Sequence, residues 1–354
     1  MSKRIVFTGG GTAGHVTPNI ALIEALRVDN WKIDYIGSIN GVEQSMINAI
    51  DIPYHAIRCG KLRRYFSWKN FYDPINMLLG IVQASYLLFK LKPTLVFSKG
   101  GFVALPVVIA AWLNRIPTIA HESDMSPGLA NRLSFPFVNK ICVTFEAAKK
   151  HFKNTDKVEV TGTPIRKELF SGDKARGLAL CGFNIDKPCL LIIGGSMGSN
   201  AINRAVRLAL DTLHERFQVI HLCGKGNLEP LLVNKPGYCQ FEYVNAELPH
   251  LFAASDIVVS RAGANSLYEI LALAKPHVLI PLSLKASRGD QIQNARYFEQ
   301  QGISVVIDEE RLTSDVLLSA IERVFVRHDE IIDKIQRLKI ESATSTIVKM
   351  IQPA

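Results

Sequence analysis

Short β-rich runs alternate with helix-length segments along the whole chain, and this alternation limits the possible folds more than any other feature. Each run in the first half has four or five residues, many of them β-branched, and is bounded by turn residues, as buried parallel strands are. These predicted strands are RIVFT (4–8), KIDYI (32–36), TLVF (94–97), PTIA (117–120), KICVT (140–144) and VEVT (158–161). Helices are predicted between them, at 18–27, 70–91 and 105–114. The pattern predicts an α/β doubly wound fold, in which helices cover a parallel sheet.

The second half of the chain repeats the alternation after Gly182. Its predicted strands lie at 189–193, 217–222, 240–244, 256–260, 277–280 and 303–307, and its predicted helices include 200–213, 264–273 and 313–325. We therefore expect two Rossmann-like domains in tandem. Pro164 forbids regular structure just after a strand, so we place the joint within 161–168. The expected domains are 1–163 and 164–340. The last helical segment, 341–354, is long enough to pack back on the N-terminal domain, with packing on the C-terminal domain as the alternative.

The formal net charge of +9 is concentrated in the first half of the chain. Residues 1–165 hold 19 lysines and arginines against 11 acidic residues, whereas residues 166–354 are almost neutral. An excess of this kind predicts an anionic partner. Hydrophobic residues make up 48% of the chain and no run is of low complexity, which excludes disordered and fibrous proteins.

We expect a cytosolic chain without a transmembrane helix. The N-terminal sequence lacks the apolar core of a signal peptide. The longest uncharged stretch, between Asp73 and Lys90, contains polar residues, whereas a bilayer span needs about 20 mostly apolar residues. The six cysteines include no C-x-x-C pair, which favours reduced, buried thiols over a zinc site.

The first strand runs into a glycine-rich loop at 9–15, and a helix follows. Glycines let the backbone approach a ligand, and the N–H groups at a helix start attract phosphate. The loop satisfies G-x-G-x-x-G, so an NAD-binding domain is one alternative, but the second strand ends in Gly37-Ser38 rather than in the acidic residue that would hold the ribose. His15 closes this loop and is a candidate for proton transfer. The alternative is a histidine that only packs on the helix start.

Two further glycine loops follow strands. The first, at 194–200, occupies the same place in the second domain as the loop at 9–15 does in the first. Two phosphate-type loops in corresponding places are a more specific signal of ligand binding than either loop alone. The second, Lys99-Gly100-Gly101-Phe102, is either a ligand contact or a simple tight turn.

The segment 260–269 closes another strand and opens a helix. Its backbone N–H groups at Ala264, Asn265 and Ser266 could hold a pyrophosphate, and Glu269 could accept two ribose hydroxyls. The segment 287–294 opens the next helix with amides suited to sugar hydroxyls. The alternative for 260–269 is a helix start stabilised by an early acid. The alternative for 287–294 is a capping segment.

Several familiar motifs are missing from the sequence. It contains no D-x-D, H-E-x-x-H, Walker A lysine or G-x-S-x-G. Metal-dependent transfer, zinc hydrolysis, P-loop ATP hydrolysis and serine esterase chemistry therefore lose support.

Together the loops resemble those of glycosyltransferase family 28, in particular the bacterial members that add N-acetylglucosamine to lipid I. The resemblance is carried by GGGTAGHVTP (9–18), SKGGFVALP (98–106), HESDMSPGLANR (121–132), TGTPIR (161–166), GGSMGS (194–199), SRAGANSLYE (260–269) and DQIQNA (290–295). It implies a GT-B fold, with two Rossmann-like domains facing each other across a cleft that holds the active site. It also implies inverting transfer from UDP-N-acetylglucosamine to the C4 hydroxyl of undecaprenyl-pyrophosphoryl-MurNAc-pentapeptide, which gives lipid II without a metal or another cofactor.

Site residues are carried over by the resemblance position by position. His15, Glu122 and Asp124 are the catalytic candidates, with His15 as the general base. The residues expected at UDP-N-acetylglucosamine are Thr12, Ala13, Gly14, Asp124, Arg166, Ser196, Val244, Ala264, Asn265, Ser266, Glu269 and Gln291. The loops expected at the acceptor and its pyrophosphate contribute Gly10, Gly11, Gly100, Gly101 and Phe102.

One departure from the family concerns the catalytic candidates. This chain has Glu122-Ser123-Asp124 where many members have Glu-Gln-Asn. A carboxylate can accept a hydrogen bond from a sugar hydroxyl but cannot donate as an amide does. Whether Asp124 contacts the sugar or assists His15 stays open.

Three alternatives compete with this assignment. One is another GT-B enzyme, such as a diacylglycerol glycosyltransferase or a UDP-N-acetylglucosamine epimerase. The second is the NAD-dependent oxidoreductase, which leaves the second loop and Glu269 unexplained. The third is a nucleotide-sugar binder or membrane scaffold without catalysis.

The basic excess has a local maximum that predicts a membrane contact. Cations alternate with aromatic residues at Lys61, Arg63, Arg64, Phe66, Trp68 and Lys69. This mixture suits the anionic phospholipid of the inner leaflet, and its alternative is a solvated loop before a core helix. Nucleic acid is not expected, since no reading module is present. We expect a peripheral protein on the cytoplasmic face of the membrane, and the resemblance adds partners in cell-wall synthesis or division.

Overall fold

The structure, a computed structural model, describes residues 3–60, 69–195 and 197–352, and of residues 69–72 it describes the backbone. Ser196 and the predicted membrane residues Lys61, Arg63, Arg64, Phe66 and Trp68 lie outside the described residues, as does the side chain of Lys69. The chain divides into two compact units. Unit 1 comprises the chain up to Arg166 and again from Ser342 on, and unit 2 is Lys167–Glu341.

Unit 1 is built on a parallel sheet of seven strands within its described residues. The strands are β1 (Arg4–Thr8), β2 (Lys32–Ser38), β3 (Tyr54–Ile57), β4 (Leu95–Ser98), β5 (Thr118–Glu122), β6 (Lys140–Val143) and β7 (Val158–Val160). Their order in the sheet is β3-β2-β1-β4-β5-β6-β7. The order reverses between β1 and β4, where Thr8 pairs with Ser98. Doubly wound sheets bind their ligands beyond the carboxyl ends of the strands at such a reversal.

Helices cover both faces of this sheet. They are α1 (Thr17–Arg27), α2 (Val42–Asn48), α3 (Lys69–Leu91), α4 (Ala104–Leu113), α5 (Leu129–Ser134) and, from the C-terminal segment, α13 (Thr344–Ile351). Helix α13 packs against α1, and its Ile347 and Ile351 join the buried core around Leu22 and Leu26. The end of the chain therefore completes one helical layer of unit 1.

Unit 2 repeats the architecture with six parallel strands in its described residues. They are β8 (Cys189–Ile193), β9 (Gln218–Leu222), β10 (Tyr238–Phe241), β11 (Ile257–Ser260), β12 (His277–Leu279) and β13 (Ser304–Val306), in the order β10-β9-β8-β11-β12-β13. The helices are α6 (Lys174–Cys181), α7 (Asn200–Arg216), α8 (Leu248–Ala254), α9 (Ala264–Ala272), α10 (Asp290–Gln300), α11 (Ser314–Val326) and α12 (His328–Arg337). The order reverses between β8 and β11, where Ile193 pairs with Ser260.

The two doubly wound sheets confirm the predicted fold class, and every predicted strand is present within a few residues. Strand β3 was missed, because YHAI is a short edge strand in which only Ile57 is buried. It also follows Pro53 directly. The predicted helix at 313–325 corresponds to α11, and α12 and α13 follow it, with Lys339 in a left-handed conformation after α12.

One helix of the described residues has the length and apolar composition to cross a membrane, namely Asp73–Leu91 of α3. Its Ala84 and Leu88 are fully buried in a core cluster with Val107 and Ala110 of α4. The opposite face carries large apolar side chains that are exposed, among them Ile75, Leu78, Val82, Tyr86 and Phe89. Helix α3 is therefore anchored on unit 1 by one apolar side and presents another apolar side outward.

Candidate active site

The loops of unit 1 that follow β1 and β4 are packed together by their backbones. Gly10 N donates to Gly100 O at 3.3 Å. Gly101 has a φ of +87°, and a Cβ added to it would lie 2.2 Å from Gly10 O. A side chain at 101 would therefore force the two loops apart, which explains a glycine there. Phe102 follows in the same turn and is half-buried.

His15 ends a short 3-10 helix, Ala13–His15, that joins the first loop to α1. Its ring Nδ1 lies 3.1 Å from the carbonyl oxygen of Lys99. Because a carbonyl only accepts hydrogen bonds, Nδ1 carries the proton and Nε2 of the neutral ring has the lone pair. This is the tautomer that a general base acting through Nε2 requires. Thr12, Ala13 and Gly14, expected at the donor sugar, form the same short segment, and Thr12 is exposed.

Glu43 of α2 was not singled out from the sequence, yet it is the charged group behind the first glycine loop. Its side chain is fully buried. One carboxylate oxygen accepts from Gly11 N at 3.1 Å, and the other accepts from Ser38 N at 3.0 Å and from the Ser38 hydroxyl. The N–H of Gly11 is thus occupied, and a pyrophosphate at this point would meet a carboxylate. The placement of Gly10 and Gly11 at the acceptor and its pyrophosphate stays a prediction.

Glu122, at the end of β5, is 2% exposed. Its carboxylate accepts from Asp124 N at 3.0 Å, from Gly128 N at 3.2 Å and from the Asn131 amide at 2.8 Å. Burial and the neighbouring Asp124 carboxylate raise the pKa of Glu122. Both oxygens therefore hold the loop that carries Asp124, which is half-buried. This geometry favours loop support for Glu122 and leaves Asp124 as the carboxylate nearer to solvent.

The two helix starts at the reversal point of unit 2 differ in how they are capped. At α7, the Ser199 hydroxyl accepts from Ile202 N at 3.3 Å. At α9, the N-cap is Gly263, which has no side chain that could cap the helix, and the first turn holds no acidic residue. The first turn of α9, at Ala264, Asn265 and Ser266, therefore lacks the N-cap hydroxyl found at α7 and is a candidate anion site.

The other donor candidates of unit 2 lie on the loops and helices around α9. Glu269 is half-buried on α9 itself, Val244 is buried after β10, and Gln291 opens α10. The Gln291 Oε1 atom accepts from Leu282 N at 3.1 Å, so its NH₂ group is the part suited to a ligand hydroxyl. Arg166 is half-buried where the chain leaves unit 1.

Arg261 is a second residue that sequence reasoning missed. It is 9% exposed, directly after β11. Its guanidinium donates to the Ser199 hydroxyl at 2.7 Å and to Ile280 O at 3.1 Å, and pairs with Glu309. Glu309 accepts in turn from Ser283 N at 3.1 Å. Arg261 thus connects the loops after β8, β11 and β12. The sequence signal that could have identified it is a charged residue directly after a buried strand.

A metal site does not emerge from the part of the chain that the structure describes. No group of three or more His, Cys, Asp or Glu residues there could hold a metal ion.

Two family profiles cover most of the chain. The glycosyltransferase family 28 N-terminal domain matches residues 5–143, and the C-terminal domain of the same family matches residues 189–350. The chain is 65% identical over 352 residues to the UDP-N-acetylglucosamine--N-acetylmuramyl-(pentapeptide) pyrophosphoryl-undecaprenol N-acetylglucosamine transferase of Legionella pneumophila strain Paris, an alignment that spans 99% of this chain and 97% of the relative.

Solved structures share the fold. The crystal structure of Acinetobacter baumannii MurG matches with a TM-score of 0.77 and 23% identity over 99% of this chain and all of the other. The UDP-GlcNAc 2-epimerase of Methanocaldococcus jannaschii matches with a TM-score of 0.61 and 14% identity over 91% of this chain and 92% of its own. At these identities the likeness concerns the fold alone.

Proposed function

The chain belongs to glycosyltransferase family 28, and from this membership we propose how its loops bind substrates and perform the transfer. The protein is a hexosyltransferase that moves N-acetylglucosamine from UDP-N-acetylglucosamine to lipid I and so forms lipid II, the reaction in the name of its 65% identical relative. An epimerase shares the fold at 14% identity. The 65% sequence identity over nearly the full chain therefore favours glycosyl transfer over epimerisation.

The observation that carries the donor site is the start of α9. Its N-cap is Gly263, and the first turn, at Ala264, Asn265 and Ser266, holds no acidic residue. We assign the diphosphate of UDP to them, because N–H groups at a helix start stabilise an anion. Glu269, further along α9, accepts the ribose hydroxyls, and the Gln291 NH₂ group donates to a sugar hydroxyl or phosphate oxygen.

Charge builds up on the diphosphate as UDP leaves. We propose that the α9 N-terminus and the guanidinium of Arg166 stabilise that charge. Ser196 and Val244 complete the set that the family resemblance assigns to the nucleotide, although Ser196 lies outside the described residues.

His15 is proposed as the general base. Its Nδ1–H is directed at Lys99 O, so Nε2 can take the proton of the acceptor C4 hydroxyl. As that proton leaves, the C4 oxygen forms a bond to the anomeric carbon, and the bond from this carbon to the UDP oxygen breaks with its electron pair on UDP. The attack comes from the face opposite to UDP, which inverts the anomeric carbon. Asp124 either accepts from a donor-sugar hydroxyl or stabilises the protonated His15, and both roles need its carboxylate.

The acceptor carries undecaprenol, so unit 1, which holds His15, must work at a membrane. We propose that the exposed apolar face of α3 enters the interface of the cytoplasmic leaflet. This face consists of Ile75, Leu78, Val82, Tyr86 and Phe89, each more than half exposed. The basic segment 61–69 precedes it in the chain and supplies cations for anionic phospholipid. Contacts with cell-wall or division proteins stay a prediction from the resemblance.

The decisive experiment compares acceptors. The full-length protein is incubated with UDP-N-acetylglucosamine and either lipid I, diacylglycerol or no acceptor, and the products are weighed by mass spectrometry. We expect lipid I to gain one N-acetylglucosamine residue. Glycosylated diacylglycerol, or epimerised UDP-sugar without an acceptor, would instead support one of the two alternatives within the GT-B fold.

A further inference from the structure

Lys99 is the most deeply buried cation near the loops of unit 1, and the mechanism above does not use its side chain. It follows β4 directly and is 1% exposed. Its Nζ lies 2.8 Å from Nδ1 of His121 and contacts the Ser123 hydroxyl. Its backbone N–H donates to Thr8 O at 2.9 Å, and its carbonyl accepts from the His15 ring at 3.1 Å. One residue therefore touches all three loops at the carboxyl ends of β1, β4 and β5.

The direction of these hydrogen bonds is fixed by their partners. His121 Nε2 lies 2.8 Å from Gly162 O, a carbonyl that only accepts, so Nε2 carries the proton. Nδ1 of His121 is then the acceptor, and Lys99 must donate to it. Burial, with Lys99 nearby, lowers the pKa of His121, which agrees with a neutral ring. Ser123 accepts the second Lys99 donor.

The charges that face Lys99 are the carboxylates of Glu122 and Asp124. The other titratable neighbours are the neutral His121 ring, His15 at the Lys99 carbonyl, and Cys142, whose pKa burial raises to about 12. Burial lowers the pKa of Lys99 to about 8, against the pull of the two carboxylates. Lys99 is therefore an ammonium at neutral pH that loses its charge in a mildly alkaline range.

We propose that Lys99 is a positioning residue for glycosyl transfer: its ammonium holds the loop that carries Asp124 while its carbonyl orients His15, so one residue sets the two groups relative to each other. The inference rests on the proposed function, because it assigns those two groups to the reaction. Loss of the ammonium leaves two carboxylates without a counter-charge and removes the donor that fixes His121 and Ser123. Displacement of the reacting groups by about 1 Å can cost about 100-fold in rate.

The test measures kcat and the KM for UDP-N-acetylglucosamine of the full-length protein with lipid I in detergent, from about pH 6.5 to about pH 9.5. Lys99→Met keeps the length of the side chain and removes both charge and donor, whereas Lys99→Arg keeps both. Lys140→Met is the matched control, since Lys140 begins β6 at the opposite end of the sheet and pairs with Glu159 in an exposed position. Circular dichroism and thermal melting establish folding.

We expect Lys99→Met to lower kcat about 30- to 100-fold with the donor KM within about twofold, because the nucleotide binds unit 2. Lys99→Arg should recover part of kcat, and Lys140→Met should behave like the wild type. Wild-type kcat should fall as the pH rises through about 8, and the Lys99→Met profile should lack this fall.

A folded Lys99→Met protein with wild-type kcat, or with a changed donor KM alone, would overturn the inference. If Lys99→Met does not fold, the wild-type profile decides, and a kcat that stays constant through pH 8 to about 9.5 overturns it. Absence of lipid II from the wild-type reaction would instead be a failure of the proposed function.

Discussion

Glu43 offers the most direct test of how unit 1 holds its first glycine loop. The change is Glu43→Ala, which removes an acceptor of three hydrogen bonds from a fully buried position. A hydrogen bond to a charged acceptor contributes about 1.5–3 kcal/mol to stability. Gly11 is exposed, so its N–H can turn to water, whereas Ser38 is half-buried. We therefore expect a loss of about 3–5 kcal/mol in the free energy of unfolding.

This loss in the free energy of unfolding can be measured as a fall in the melting temperature. For a domain of this size, 1 kcal/mol corresponds to roughly 2–4 °C, so the first transition should fall by about 10 °C. Glu43→Gln keeps one acceptor oxygen and should lose about half as much. Differential scanning calorimetry of the full chain gives both values. Glu146→Gln is the matched control, because Glu146 is exposed and pairs with Lys149 only on the surface, a contact worth less than about 1 kcal/mol.

The same substitution also tests whether Glu43 positions the first glycine loop for catalysis, apart from its effect on the free energy of unfolding. Below the melting transition, Glu43→Ala should lower kcat because the loop no longer places His15, while the KM for UDP-N-acetylglucosamine stays near the wild-type value. The reasoning is refuted if Glu43→Ala melts within about 2 °C of the wild type, or if only donor binding suffers. In either case the buried carboxylate would not be what holds Gly11 and Ser38.

Three shorter predictions concern the site and the membrane. His15→Ala should lower kcat about 100- to 10,000-fold with little change in the donor KM, and steady-state kinetics with an unchanged kcat would exclude His15 as the base. Glu269→Ala should raise the KM for UDP-N-acetylglucosamine about tenfold or more, whereas an unchanged KM would contradict its ribose contact. Charged substitutions on the exposed side of α3, Val82→Asp with Phe89→Asp, should abolish sedimentation with anionic vesicles, and Val326→Asp, at an exposed position of unit 2, is the control.

The sequence predicts most of the architecture, because strand and helix signals are local. Runs such as CLLII at 189–193 are apolar throughout, so their composition alone indicates burial. Strand β8 begins and ends at the predicted residues. The glycine loops were found for the same reason, since a turn after a buried strand is visible within a few residues. The missed strand β3 lies at a sheet edge, where burial on one side only weakens the pattern.

The charged residues behind the loops were missed because their partners are distant in sequence. Lys99 is 22 residues from His121, Glu43 is 32 residues from Gly11, and Arg261 is 62 residues from Ser199. No local pattern records such pairs. For a side chain of this kind, the sequence shows a charge beside an apolar run, and only the fold reveals whether that charge is buried and paired.

The two glycine loops that look alike in sequence differ in the buried charges behind them. In unit 1 the carboxylate of Glu43 accepts from Gly11 N, and the same loop leads to His15, whose ring lies against Lys99 O. In unit 2 the guanidinium of Arg261 donates to the Ser199 hydroxyl and is paired with Glu309, so the charge behind that loop is compensated. Residues 1–165 carry nearly all of the positive excess of the chain. That excess therefore lies outside the unit proposed to bind the nucleotide, which agrees with the proposal that a surface of unit 1 meets an anionic membrane.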